Sequence, residues 1–272
     1  MSGTETRSGA GTVITIVLAA VGAVVLVGAA AGAAVAGTVR MSQAGSGGAD
    51  GSFTADVDGV SSVQVDVDAA DVTVQFGAVD VAELSTTGLE ADRWTLRTDG
   101  DTLVVSSPDR NGPWFGGWWW NDETAATLTL PESLRGSDAS LILDAGSLDA
   151  EGDFGVVSVE VDAGSASVDG SADEVEVSVS AGDAEVSLDG VRRASYELSA
   201  GWVDAELGSV PDDVTVDVSA GTLTLTVPDA AYRLTRDVSA GSLNSDLREG
   251  LQADGSVDVV VSAGSVDLRV GN

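Results

Sequence analysis

The chain has 272 residues, and its 44 aspartates and glutamates against 12 basic residues give a formal net charge of −32. All the basic residues are arginines. The absence of lysine, histidine and cysteine excludes an ordinary zinc site, a cysteine nucleophile, a Ser-His-Asp triad, a P-loop and a lysine Schiff base. So acidic a chain repels nucleic acids and anionic lipids and favours cationic peptides, basic proteins or divalent ions as partners. Acidity also keeps a long β-protein soluble, so charge by itself does not identify a partner.

Residues 12–39 carry no charged side chain. A helix of about 20 apolar residues crosses the hydrocarbon core of a bilayer, so this stretch is long enough to span it. We therefore predict a short tail over 1–11, a single transmembrane helix over 12–39 and an extracytoplasmic carboxyl-terminal region at the cell membrane. The alternative is a signal sequence cleaved near Ala36, because Ala34-Val35-Ala36 is a plausible cleavage site, and the protein would then be secreted.

A stretch rich in glycine and serine, 40–56, is predicted to be a flexible linker. Beyond it, Ala-Gly pairs recur at spacings of 18, 18, 19, 20, 20 and 23 residues, and repeats of this length are typical of stacked architectures. The glycines of these pairs are Gly146, Gly164, Gly182, Gly201, Gly221, Gly241 and Gly264.

Apolar residues alternate with polar ones on both sides of each pair, but the alternation shifts at the pair itself. Val159 and Val161 precede Gly164 on odd positions, whereas Ala166 and Val168 follow it on even ones. Side chains alternate between the faces of a strand, so the shift predicts a corner at each pair. The alanine and the residue three positions later would then share one buried face, and the glycine would supply a backbone angle that other residues resist.

Two architectures satisfy this rule. A Gly-Ser or Gly-Asp loop could close an antiparallel hairpin, which would give a meander or a sandwich. Alternatively, each corner leads into the next side of a parallel β-solenoid, in which equivalent positions stack about 4.8 Å apart. The near-constant period and the repeated alanine favour the solenoid, with the alanines in an inner column and every coil lying on its predecessor.

We therefore predict an all-β fold in two parts behind the linker. An amino-terminal β region over 57–130 contains an aromatic loop at 109–122, and a parallel β-solenoid (β-helix) of repeats of about 19 residues covers 131–272.

The sequence PWFGGWWW at 113–120 is the most unusual stretch of the chain. A folded-over aromatic loop could cap the open end of the solenoid core. It could instead be an exposed platform for sugars, lipid headgroups or a protein partner, or a contact with the membrane interface. The candidate interaction residues in it are Trp114, Phe115, Trp118, Trp119 and Trp120.

Two single residues depart from the repeat. Trp202 follows Gly201 where the other repeats have Ser, Thr or Asp, and the alternation points it outward, which makes it a further candidate interaction residue. Packing on neighbouring loops is the other interpretation. Arg236 falls on the buried face beside Leu234, so either the strand begins later, at Asp237, or the guanidinium bends out to pair with acidic neighbours. We expect the later start.

The many carboxylates form no recognisable site motif. Neither an EF-hand loop nor a Gly-Asp nonapeptide array is present, and we predict no metal site and no cofactor. Paired carboxylates could hydrolyse glycosides, but acids that point outward along nearly every strand are explained by a solvated face. We therefore predict that the protein is not an enzyme, with a polysaccharide-acting β-helix enzyme as an alternative.

The VSAGxLxxxL copies, WTLRTDGDTLVV at 94–105 and TLTLPESL at 127–134 resemble the bacterial "putative adhesin" family of β-strand-repeat domains, a domain of unknown function. The resemblance covers roughly residues 57–272 and implies a membrane-tethered or exported β-solenoid of the cell envelope, without an established catalytic activity. We expect a membrane-anchored, envelope-facing protein with a binding or structural, adhesin-like role. The alternative is an envelope-stress component that interacts with cationic peptides, since some related proteins are tied to envelope stress.

Overall fold

The computed structural model describes residues 50–88, 90–108, 124–250 and 252–271. In this part of the chain the helical elements are two short 3-10 turns, Ala91–Arg93 and Glu132–Leu134. Neither is long and apolar enough to cross a membrane, and the predicted transmembrane helix at 12–39 lies outside the described residues. The strands are β1 Gly51–Ala55, β2 Ser62–Val67, β3 Ala70–Gly77, β4 Ala82–Thr87, β5 Thr95–Asp99, β6 Thr102–Ser106, β7 Ala125–Pro131, β8 Asp138–Leu143, β9 Gly146–Asp153, β10 Val156–Ser171, β11 Glu174–Asp189, β12 Arg193–Leu198, β13 Gly201–Leu207, β14 Asp213–Val218, β15 Thr222–Val227, β16 Ala231–Ser245, β17 Arg248–Glu249 and β18 Gly255–Val270.

Parallel pairing between successive repeats organises the sheet. Val157 of β10 lies opposite Val175 of β11, and the two strands run in the same direction on both sides of the corner. The same pairing joins β8 and β9 to β10, β11 to β12 and β13, and these two strands to β14 and β15. From 138 to 227 each coil, meaning one strand-corner-strand circuit, therefore lies on its predecessor. The solenoid interpretation is confirmed for these repeats, and the hairpin alternative is wrong.

The core lies inside the coils, because every second side chain of each strand points inward. Val159, Val177 and Val216 occupy one inner column and are each at most 2% exposed. Burying one such side chain completely contributes roughly 1.5–3 kcal/mol, so the apolar columns supply the main favourable term for the stack.

A column of glycines forms the corners. Gly164, Gly201 and Gly221 have φ angles of 123°, 116° and 116°, a region that residues with a Cβ atom avoid. A Cβ on any of the three would also lie closer than 3.0 Å to the carbonyl oxygen of the corner glycine in the preceding coil. The predicted corner is confirmed, and at these three positions the glycine is required by the backbone angle and by the close approach of the preceding coil.

The alanine before each glycine is stacked in register but does not belong to the core. Ala163 lies opposite Ala181, and both side chains are exposed. The chain turns between buried Val161 and buried Ala166, so the intervening alanine lies on the outside of the corner. The predicted inner column of alanines is therefore wrong, because the alternation of a straight strand does not continue through the turn.

The carboxyl-terminal coils are not stacked in chain order. β18 pairs with β14 and β15 on one side and with β16 on the other. The coil 255–270 consequently lies between the coil 213–227 and the coil 231–245, which makes the β16 coil the outermost one at this end. The prediction that every coil lies on its predecessor is wrong here.

The surroundings of Arg236 are consistent with the β16 coil being the outermost one. It lies in an inner column opposite Val259 of β18, and its guanidinium reaches out to the carboxylate of Glu249. Because β16 begins at Ala231, the predicted later start at Asp237 is wrong, and the bending of the guanidinium towards an acidic neighbour is the correct alternative. A charged inner side chain costs least in a coil that has a neighbour on one side only, since its charge can then reach water.

At the amino-terminal end the coils are also stacked out of chain order, and antiparallel strands cover the outermost coil. β6 and β7 pair in parallel with β2 and β3, which pair on their other side with β8 and β9. The outer edges of β6 and β7 are covered by the antiparallel strands β5 and β4, and β1 pairs with β4. Trp94, next to β5, is buried in the core at this end. The predicted aromatic cap at 113–120 lies outside the described residues.

Three glycine variants should separate the two reasons for glycine at the corner, the positive φ angle and the close approach of the adjacent coil. Gly182 lacks a positive φ, so the collision of a new Cβ with the carbonyl of Gly164 acts alone, and Gly182→Ala should cost about 1–3 kcal/mol. Gly59 has a φ of 80°, and no described atom lies within 4 Å of the position that a Cβ would occupy. Gly59→Ala should therefore cost about 1–2 kcal/mol through backbone strain alone. Gly201→Ala combines both terms and should lower the free energy of unfolding most. Chemical denaturation measures all three, and equal losses at Gly59 and Gly201 would contradict the glycine column.

Two tyrosines provide a matched test of the core. Tyr196 lies in an inner column between Val177 and Val216, and its hydroxyl is buried without a hydrogen-bond partner among the described residues. Burial also raises the pKa of this phenol. The hydroxyl of Tyr232 instead donates a hydrogen bond to the carbonyl of Pro228 at 3.0 Å.

We expect Tyr196→Phe to raise the free energy of unfolding by about 1 kcal/mol, because it removes an unpaired polar group, and Tyr232→Phe to lower it by a similar amount. Urea denaturation curves of the two variants give both values. A loss of stability in Tyr196→Phe would mean that the hydroxyl has a partner.

Candidate binding surface

One outer face of the solenoid is strongly acidic. It consists of the outward side chains that follow the corner glycine in β9, β10, β11 and β13, and we call it the acidic wall. Because these strands are paired in register, its outward residues form columns that run from coil to coil. The carboxylates of the acidic wall are Asp149, Glu151, Asp153, Asp169, Asp183, Glu185, Asp189, Asp204 and Glu206.

Trp202 lies on the acidic wall at the first outward position after the corner. It is opposite Asp183 in the preceding coil and Thr222 in the following coil, and it is 38% exposed. Asp204 follows it on the same face and lies opposite Glu185. The side chain is therefore accessible, as the alternation predicts, and carboxylates lie beside it within one coil and across to the next.

The ion pairs of the described residues do not involve the carboxylates nearest Trp202. None of them involves Asp183, Glu185, Asp204 or Glu206. The carboxylates around Trp202 therefore keep a negative field that raises the local concentration of cations, most strongly at low ionic strength. Among the ion pairs at the turns between coils and at the strand ends beside them are Arg135–Asp153 at 2.7 Å, Arg192–Asp173 at 3.8 Å and Arg248–Asp229 at 3.3 Å.

The corner that borders this face is acidic as well. Asp144 shares a column with Asp68 and Asp162 in the adjacent coils. Burial, followed by the charges of Asp68 and Asp162, raises the pKa of Asp144. Negative charge is therefore crowded at this border, towards the amino-terminal half of the solenoid.

A compensated cluster lies at the opposite border of the acidic wall. The guanidinium carbon of Arg135 is 4.8 Å from the centre of the Phe76 ring, and its nitrogens pair with the carboxylates of Glu132 and Asp153. A hydrogen bond from the Ser171 hydroxyl and then the pairing with Arg135 lower the pKa of Asp153. The protein thus binds one of its own arginines with an aromatic ring and flanking carboxylates. Trp202 and the carboxylates beside it offer the same combination of groups.

The described residues show no arrangement of three or more His, Cys, Asp or Glu side chains that could hold a metal ion. An open, polar groove runs from β3 onto the first two coils of the acidic wall, those of β9 and β10. It is lined by Thr73, Val74, Gln75, Asp149, Ala150, Glu151, Ser167 and Asp169.

Among the predicted interaction residues, the structure describes Trp202. Its carboxylate neighbours were not part of the sequence prediction, because neighbours in adjacent coils are known only once the register is known. Alignment of the repeats on Gly182 and Gly201 is the signal that could have placed Asp183 beside Trp202. The other candidates lie outside the described residues, and their role stays a prediction: Trp114, Phe115, Trp118, Trp119 and Trp120.

Comparison with protein families gives a match to most of the solenoid. Residues 60–272 match the Toastrack DUF4097 family. The chain belongs to this family. The Toastrack match spans the coils that carry the glycine column and the acidic wall, and it confirms the family resemblance found in the sequence. No curated protein matches the chain.

Several solved structures are similar to this Toastrack chain at low sequence identity. A "putative cell adhesion protein" from Clostridium sporogenes is 10% identical, with 83% of this chain and 100% of that chain covered and a TM-score of 0.35. A "putative adhesin" from Bacteroides fragilis is 14% identical, with 80% and 96% covered and a TM-score of 0.28. A "putative lipid binding protein" from Parabacteroides distasonis is 13% identical, with 81% and 98% covered and a TM-score of 0.27.

Proposed function

We propose that this Toastrack chain is a non-catalytic binding protein of the cell envelope with an adhesin-like role. A transmembrane helix over 12–39 would anchor it, and the solenoid would face away from the cytoplasm. The length of the uncharged stretch 12–39 supports the anchor. Secretion after cleavage near Ala36 is the alternative, and it would expose the same solenoid. Coils stacked in register support a binding role, because they present a fixed outer surface.

The observation that carries the proposal is the surroundings of Trp202. An exposed aromatic face beside Asp183 and Asp204 offers a cation both a ring and carboxylates, and none of the described arginines pairs with these acids. Arg135 already uses the same combination within this chain. The site therefore fits a basic side chain, presented by a peptide or by the surface of another protein. Binding of free cationic peptides would also suit an envelope-stress component.

Binding of a lysine-rich peptide to the full chain in detergent micelles tests this function. We expect binding that weakens steeply as salt is added, because the wall carboxylates attract the peptide over a distance set by screening. Trp202→Ser installs the residue that follows the corner glycine in four other repeats, at 147, 165, 242 and 265, and it should weaken binding by about 2- to 10-fold through loss of the cation–π contact. Isothermal titration calorimetry at two salt concentrations measures both effects.

Val156→Ser is the matched control, since Val156 is 39% exposed on the strand segment before the corner and outside the acidic wall. It should leave the affinity unchanged, and a glutamate-rich peptide of the same length should not bind. Equal affinities of the wild type and Trp202→Ser would remove Trp202 from the site. Absence of any salt-dependent binding of the basic peptide would overturn the cationic-ligand proposal.

A further inference from the structure

The outermost carboxyl-terminal coil has a free strand edge. β16 pairs with β18 along one side, and on its other side it pairs with β17 at Ala231 and Tyr232. From Arg233 to Ser245 no described strand pairs with that second edge. A row of unpaired backbone donors and acceptors in a parallel stack is a template for one more strand.

The inner face of this coil is also incomplete. Val238 is 39% exposed, whereas Val261, the residue opposite it in β18, and Val218, one coil further in, are fully buried. Leu234 and Leu243 are likewise only partly buried and pack against the core from its open end. The apolar columns of the solenoid therefore continue to this surface, where no described strand covers them.

Arg236 interrupts those columns. Its column is otherwise apolar in the adjacent coils, with Val259 at 1% and Val216 at 0% exposure. Its side chain is 50% exposed, and its partner Glu249 is 51% exposed, so the ion pair lies at the solvent boundary of the open end. Any coil added to the free edge would enclose this guanidinium, and removing a charge from water costs several kcal/mol unless a new partner replaces the water.

We infer that the carboxyl-terminal end of the solenoid is a latent interface between two copies of this chain, which the inward-pointing charge of Arg236 keeps closed. The inner columns of a second copy end at an identical open surface, so two copies meeting tail to tail would cover each other's incomplete cores. In such a two-fold arrangement both Arg236 guanidinium groups would enter one shared core, where like charges oppose the contact. An inward-pointing charge on an edge strand is a known way of preventing edge-to-edge association.

Two further observations identify a second copy, meeting tail to tail, as the excluded occupant. At the other end of the solenoid, β4 and β5 cover the outer strands in antiparallel fashion, so head-to-tail stacking is already obstructed there. The outermost strand at this end also lacks an excess of negative charge. The strand β16 contains Arg233, Arg236 and Asp237 as its charged residues, whereas β11 contains five carboxylates and no arginine. The net charge of β16 does not account for the closure, which we attribute to the position of Arg236.

Replacement of Arg236 by the valine of neighbouring coils tests the inference. We expect the full chain in detergent micelles to be monomeric as wild type and to self-associate as Arg236→Val, with a gain of about a hundredfold or more in association constant. Arg233→Val removes an exposed, outward-facing arginine of the same strand and should stay monomeric, as should Arg236→Lys, which keeps the charge. Multi-angle light scattering measures the mass, and circular dichroism confirms that each variant is folded.

Single cysteines locate the contact, because the natural chain has none. In the Arg236→Val background, Val238→Cys should form a disulfide-linked dimer under mild oxidation. Val260→Cys is the matched control, since Val260 is 41% exposed on the outer face of β18 beside the open end, and it should not form one.

A monomeric but folded Arg236→Val would overturn the inference. Association of Arg233→Val to the same degree would also overturn it, since the effect would then follow from net charge and not from the inner column. A disulfide-linked dimer of Val238→Cys in a chain that keeps Arg236 would overturn it as well.

Discussion

The approach of one corner glycine to the next fixes the geometry of this solenoid. At the corners from Gly164 onwards, the carbonyl oxygen of the corner glycine in the adjacent coil occupies the space that a Cβ atom would need. The backbones can therefore stack at the spacing of a parallel sheet while the chain changes direction, which L-residues with side chains do not allow at these φ angles. Ala70 occupies the equivalent position in the coil of β2 and β3, next to the amino-terminal end, where the outward neighbouring strand β7 begins only at Ala125.

Register follows from this column, and surface chemistry follows from register. Once the glycines are aligned, every outward residue lies beside its counterparts in the adjacent coils, so a single substitution in one repeat acquires predictable neighbours. Trp202 illustrates this: it replaces a small polar residue in a column that contains Asp183 and Thr222, and it thereby places an aromatic face within a field of carboxylates. The two ends of the stack differ. Antiparallel strands cover the amino-terminal end, whereas the carboxyl-terminal end exposes a strand edge that carries an inward-pointing arginine.

Local features of the sequence were sufficient to predict the strands and their corners, whereas the preference for parallel coils over hairpins came from the near-constant period of the repeats. The two-residue alternation reports which side chains are buried, and its shift at each Ala-Gly pair marks the turn, so both could be read from a single repeat. The alanine position was misassigned because alternation describes straight strands and not the backbone inside a corner. Coil order could not be predicted, because the repeats are nearly equivalent and any of them fits against any other. Arg236 was the one available signal for an end coil, and it was instead interpreted as a late strand start. The carboxylates beside Trp202 depended on the same knowledge of register, which exists only between coils.

Disulfide mapping of the last three coils tests the stacking account most directly. The hydroxyl oxygens of Thr222 and Ser265 are 3.2 Å apart, and Ser265 lies opposite Ser242 on its other side. In a chain that lacks cysteine, the cysteine pairs 222/265 and 242/265 should therefore form intramolecular disulfides rapidly under mild oxidation, whereas the pair 222/242, separated by the intervening coil, should not. Rapid formation of the 222/242 disulfide would show that the coils stack in chain order and would contradict the architecture described above.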